Sequence, residues 1–78
     1  VIWKQIENCL DEMIEYQQKC LLAQGRQLVD GLTSDDILQP NDFPDLEVNP
    51  HFRYEEGQLA GLQSARIALS ALKKEISN

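Results

Sequence analysis

No apolar run longer than four residues occurs in the chain; the longest is Cys20-Leu21-Leu22-Ala23. A bilayer-spanning helix needs about 20, so no membrane span is expected. Histidine occurs once and cysteine twice, with neither a Cys-x-x-Cys nor a Glu-x-x-His spacing. The first absence removes the usual zinc framework. The second removes the ligand pattern of di-iron carboxylate bundles. With no glycine-rich phosphate loop either, neither cofactor nor metal is expected. Thiol hydrolysis is a poor fit, because a cysteine on an apolar helix face stays protonated and inert.

Basic charge is also scarce. Seven Lys and Arg stand against 13 Asp and Glu, for a net charge of -6. An acidic surface repels phosphate backbones and anionic membranes. It aids solubility, and it leaves room for a basic partner or a divalent cation. At 78 residues the chain is one small domain, marginal alone, of the size that adds a disulfide, a metal or a second subunit. Cys9 and Cys20, if on one helix, lie about 16 Å apart along its axis, beyond the roughly 7 Å a disulfide allows. Free thiols point to a reducing cytoplasm, with a bridge between chains as the alternative. Val1-Ile2-Trp3-Lys4-Gln5 lacks the apolar core of a secretory leader, although the absence of an initiator Met leaves a removed segment open.

What is present is helical periodicity. From residue 2 to about 31, Ile2, Ile6, Cys9, Leu10, Met13, Ile14, Tyr16, Cys20 and Leu21 fall in one arc of a 100° wheel, joined by Trp3, Leu28 and Leu32. Lys4, Glu7, Asp11, Glu15 and Lys19 fall opposite. Gln17 and Gln24 intrude on the apolar arc, either fixing register or bending out to solvent. Gly25 is a weak point late in this helix, and Gly31 suits its stop. A second helix is expected over about 50–76. Asn49 is a good cap and Pro50 suits the first helical position; Glu55 and Glu56 sit near the positive end of its dipole, Lys73 and Lys74 near the negative. Leu62, Ala65, Leu69, Leu72 and Ile76 repeat at coiled-coil spacing. Gly57, Ala60, Gly61, Ser64, Ala68 and Ala71 form a stripe of small residues beside them. The two stripes together are wider than one partner helix covers. Arg66, Lys73, Lys74, Ser70 and Gln63 form the polar side.

The connection, residues 33–49, is Pro- and Asp-rich and long for a two-helix link. Ile37, Leu38, Phe43, Leu46 and Val48 punctuate it, so it is expected to fold back as an ordered plug, with Ser34 capping a turn that Pro40 halts. The predicted fold is therefore all-α: an antiparallel two-helix hairpin with a long ordered loop, dimerising into a four-helix bundle.

Three functional readings follow. The first is a cytoplasmic protein that acts by protein–protein association, as a homodimer through Gly57, Ala60, Gly61, Ser64, Ala68 and Ala71. The second is a small enzyme or ligand-binding subunit with a polar junction site of His51, Arg53, Tyr54 and Glu55; here the plainer alternative is that Phe52 and Tyr54 anchor the helix start while Arg53 pairs with a linker Asp. The third is an RNA-associated bundle using Arg66, Lys73 and Lys74, against which the net charge weighs. The acidic row Glu7, Asp11 and Glu15 would hold Mg²⁺ only with a second acidic row facing it, and otherwise is a solvated face. No catalytic residue is assigned, and the biochemical role is not legible.

Overall fold

The computed structural model describes residues 2–77, which are mostly helical with no strand among them. Helix α1 runs Ile2–Leu28, α2 is the single turn Pro44–Glu47, and α3 runs Pro50–Ser77. Two 3₁₀ turns, Asp36–Leu38 and Pro40–Asp42, precede α2. The long helices lie side by side and run in opposite directions. The Gln17 amide reaches Glu55, Arg66 reaches Asp11, and Lys73 reaches Glu7. The molecule measures 46 × 19 × 17 Å.

α1 ends at Leu28, about one turn short of the expected stop. Gly31 lies three residues on, at φ +72°, a conformation that favours glycine. It therefore reverses the chain after the helix rather than capping it. Arg26 holds this reversal by donating from Nε to the Leu32 carbonyl at 2.8 Å. The following turn is closed by Thr33 and Asp36, not by Ser34. The Thr33 N–H donates to the Asp36 carboxylate at 2.9 Å and the Asp36 N–H to the Thr33 hydroxyl at 3.2 Å, a reciprocal arrangement like that of a capping box. Asn49 caps α3 as expected, accepting from the Phe52 N–H at 2.9 Å, with Pro50 in the first turn.

The fully buried hydrophobic side chains among the described residues are four, each from a different segment: Leu21 of α1, Leu32 after it, Leu46 of α2 and Phe52 of α3. Leu28, Val29, Ile37, Phe43 and Leu59 pack around them. All of this core lies at the loop end. Gly25 makes it possible, because a Cβ there would stand 2.5 Å from Leu32 and 3.4 Å from Phe52. The glycine that reads as a weak point is the place where the connection presses on α1.

Away from this end the two helices meet along a narrower seam than the sequence suggests. On α1 the half-buried positions include Trp3, Ile6, Glu7, Leu10, Ile14, Gln17, Cys20, Leu22 and Gln24. On α3 they include Leu59, Leu62, Arg66, Leu69, Ser70 and Lys73. Ala65, Leu72 and Ile76, expected in the α3 seam, are exposed. Arg66 and Lys73, expected on the polar side, take their place. Long cationic side chains can lie along an apolar seam with their heads at its edge, and Glu7 and Asp11 meet them there.

Two substitutions test this core by urea unfolding. Phe52→Ala is expected to cost about 3–5 kcal/mol, as for buried aromatics generally. Gly25→Val is expected to cost about 1–3 kcal/mol by overpacking against Leu32 and Phe52. Unchanged midpoints would show that the plug does not carry the fold.

Candidate functional site

The four residues of the junction point to different partners. His51 is exposed, with Nε2 3.7 Å from a Glu55 carboxylate oxygen one turn on. Glu55 also accepts from the Gln17 amide, at its carboxylate and, at 3.2 Å, at its carbonyl. Gln17 therefore stays in the seam instead of bending out. Arg53 faces the connection. It donates to the Glu47 carbonyl at 3.1 Å, the Asn41 side chain at 2.9 Å and the Glu56 carboxylate at 2.8 Å. Its partners are thus the Asn41 side chain and Glu47 carbonyl of the connection and Glu56 of its own helix, rather than a linker Asp. Tyr54 is exposed and accepts from the Gln58 amide at 2.8 Å; Phe52 alone anchors the helix start. The structure brings His51 and Glu55 together, and Arg53 and Tyr54 to neither.

The acidic row and the basic strip neutralise each other. Glu7 lies 3.4 Å from Arg66 and 3.1 Å from Lys73, and Asp11 lies 2.9 Å from Arg66. The Asp11 hydrogen bond raises the Arg66 pKa against the opposing effect of burial, and the charges of Asp11 and Glu7 add to it. Glu15 pairs with Lys19 instead. The second acidic row that a cation would need is, on α3, a row of cations. Among the described residues no three His, Cys, Asp or Glu side chains are grouped to hold a metal. Lys74 lies exposed beside the pair.

The largest unexplained feature is an apolar side of the helix pair. The wide arc of α1 divides in two. Ile6, Leu10 and Ile14 enter the seam, whereas Ile2, Cys9, Met13 and Tyr16 are exposed, the three large ones at 64%, 46% and 70%. Cys9 is thus a surface thiol, not a core one. On α3, Leu72 and Ile76 are exposed at 44% and 62%. On a 100° wheel Leu72 and Ile76 fall on the Gln58 side of the α3 seam, the side that faces the α1 stripe. A hollow of about 410 Å³ lies on this side, lined by Cys9, Glu12, Met13, Tyr16 and Gln17 of α1 and Gln58 and Leu62 of α3. The opposite side is mixed: its hollow is lined by Asp11, Arg66, Ser70 and Lys74 together with Ala71 and Ile67, the latter 70% exposed. The sequence did hold the signal for the α1 stripe. Cys9, Met13, Tyr16 and Cys20 keep a 4-3-4 spacing of their own.

The stripe of small residues borders this side without filling it. Gly57, Ala60, Gly61, Ser64, Ala68 and Ala71 are all exposed in the single chain, and nothing stands within 4 Å of a Cβ at Gly57 or Gly61. On a 100° wheel Gly61 and Ala68 fall within about 40° of Leu72. Ala71 instead lines the opposite hollow with Asp11 and Arg66.

Comparison with family models, with curated proteins and with solved structures found no match.

Charge is distributed as unevenly as hydrophobicity. Asp30, Asp35, Asp36, Asp42, Asp45 and Glu47 lie between the long helices, and no Lys or Arg lies there. The other seven acidic residues match the seven Lys and Arg in number. The helix pair is therefore neutral overall, and the whole net charge of -6 sits on the loop end.

Tyr16 and Cys20 lie one turn apart at the edge of the apolar side. Cys20, one turn on, raises the Tyr16 pKa above its ordinary 10.0, with lesser contributions from desolvation and from Glu55. The folded phenol thus holds its proton more tightly than the unfolded one. Its contribution is intact below pH 10 and is lost as pH rises through the folded midpoint. In a Tyr54→Phe background, ultraviolet titration should give a midpoint above 10.0 that returns toward it in Cys20→Ala. A midpoint unmoved by Cys20→Ala would remove the assigned cause.

Proposed function

We propose that the chain is a helical hairpin that acts through protein–protein association in the cytoplasm, and that a second copy covers its apolar side to close a four-helix bundle. The observation that carries this reading is that exposed Cys9, Met13 and Tyr16 of α1 line one hollow with Leu62 of α3, and that exposed Ile2, Leu72 and Ile76 fall to the same side on a 100° wheel. A layer with one apolar side is stable when a second layer buries it.

Three features favour a second copy as the occupant. The helix pair carries no net charge, so two such layers meet without the repulsion that the chain's total charge implies. The whole chain's extent of 46 × 19 Å is an upper bound on the contact, and it reaches the ~800 Å² per partner of a stable interface. A two-fold contact is also self-complementary by construction, and an apolar side of aliphatic and thioether groups suits its own copy. The acidic loop ends repel one another, which favours placing them at opposite ends of the dimer. Gly57, Gly61 and Ala68 then border the contact, while Ala71 lies away from it. This refines the small-residue face. Against an RNA-associated role weighs the pairing of Arg66 and Lys73 with carboxylates.

Sedimentation equilibrium at micromolar concentration tests the reading. The expected result is a dimer whose melting temperature rises with concentration, as mass action requires. Met13→Glu with Leu72→Glu, both exposed in the single chain, is expected to give a monomer that melts at lower temperature. A monomeric, stably folded wild-type chain would end the proposal.

A further inference from the structure

The loop end holds a second cleft, on neither the apolar side nor the polar junction. It measures about 300 Å³, at the lower bound of volumes that take a ligand group. Its apolar lining is drawn from three segments: Leu21 of α1, Ile37 and Leu38 of the first turn, and Leu59 of α3. Gln18, Gln63, Ser34 and Asp35 form the rim. Leu38 is 75% exposed at this edge. The turn that presents it is fixed by the reciprocal Thr33 and Asp36 hydrogen bonds.

We propose that this cleft docks a basic amphipathic segment of a partner protein, with one bulky apolar side chain among Leu21, Ile37, Leu38 and Leu59 and neighbouring Lys or Arg against the acidic loop end. Charge complementarity selects this occupant. Asp35 is the charged residue of the lining, and it belongs to the stretch that bears the chain's whole net charge. Arg26, the cation nearest Asp35 in sequence, is turned onto the Leu32 carbonyl, and Lys19, next to Gln18 of the rim, lies 3.6 Å from Glu15. A nucleic acid or an anionic membrane is repelled by such a rim. A second copy is less suited, because its own loop end is acidic and Arg53, Arg66 and Lys73 of its seven cations are engaged by carboxylates. A segment with an apolar anchor and basic flanks satisfies both the cleft and its surroundings, in the manner of helix-in-groove recognition.

The experiment is fluorescence anisotropy of a labelled 14-residue Leu/Lys helical peptide titrated with the full chain. The controls are a Leu/Glu peptide of the same pattern and an oligolysine of equal charge. The proposal expects saturable binding of Leu/Lys that weakens with added salt, and no binding of Leu/Glu. Leu38→Ser should weaken binding by about tenfold, equivalent to ~1.4 kcal/mol. Asp35→Asn should weaken it less, and Met13→Ser, on the apolar side, should leave it unchanged. Both cleft residues are exposed, and circular dichroism confirms that the variants fold. Three outcomes overturn the proposal: oligolysine binding as tightly as Leu/Lys, binding unaffected by Leu38→Ser, or binding lost in Met13→Ser. The last would assign the peptide to the apolar side and leave the dimer reading standing.

Discussion

Phe52 enters at the first turn of α3, and three leucines close around it from three other segments of the chain. Most of the fold's directionality comes from this contact. It fixes where α3 starts, seats α2 and the residues before it, and requires Gly25 in α1 so that Leu32 can approach the helix axis. Asn49 and Arg53 reinforce the same corner with hydrogen bonds, the one capping α3 and the other tying the connection to it. The burial of these four side chains supplies the main apolar stabilisation at this end, each contributing about 1.5–3 kcal/mol relative to exposure.

Beyond that corner the packing changes character. The two helices still run together, but their seam is partly polar: Gln17 on Glu55, and Glu7 and Asp11 on Arg66 and Lys73. Ion pairs at a solvent edge contribute little stability. They do specify alignment, because sliding one helix along the other would separate these partners. The far two-thirds of the molecule thus has register without a buried core. The apolar groups that could form one, Ile2, Met13, Tyr16, Leu72 and Ile76, lie to the side of the seam. In this account, register is set within the chain and the second half of the core is supplied from outside it.

Helix existence and the start of α3 were legible in the sequence because they depend on local chemistry: periodicity, the Asn49 cap and Pro50. The ordered character of the connection was legible too, from its regularly placed apolar residues. The identity of the seam was not. A helical wheel ranks positions by hydrophobicity, which placed Ala65, Leu72 and Ile76 inward and Arg66 and Lys73 outward. The carboxylates that reverse this order sit on the other helix, 55 to 66 residues away in the chain. The packing role of Gly25 was not legible for a related reason, since it depends on Leu32 and Phe52 and not on its own helix. The polar junction looked dense in sequence because adjacent residues were counted together; on a helix they point in different directions, and Arg53 and His51 part company.

Amide hydrogen exchange followed as a function of protein concentration tests the central claim most directly. At high concentration, amides in the far halves of α1 and α3 should be protected along with those around Leu21 and Phe52. On dilution the far halves should lose protection by orders of magnitude, while the loop-end corner keeps most of its own. Protection of the far halves that stays the same at every concentration would contradict the account, because it would show that the single chain needs nothing on its apolar side.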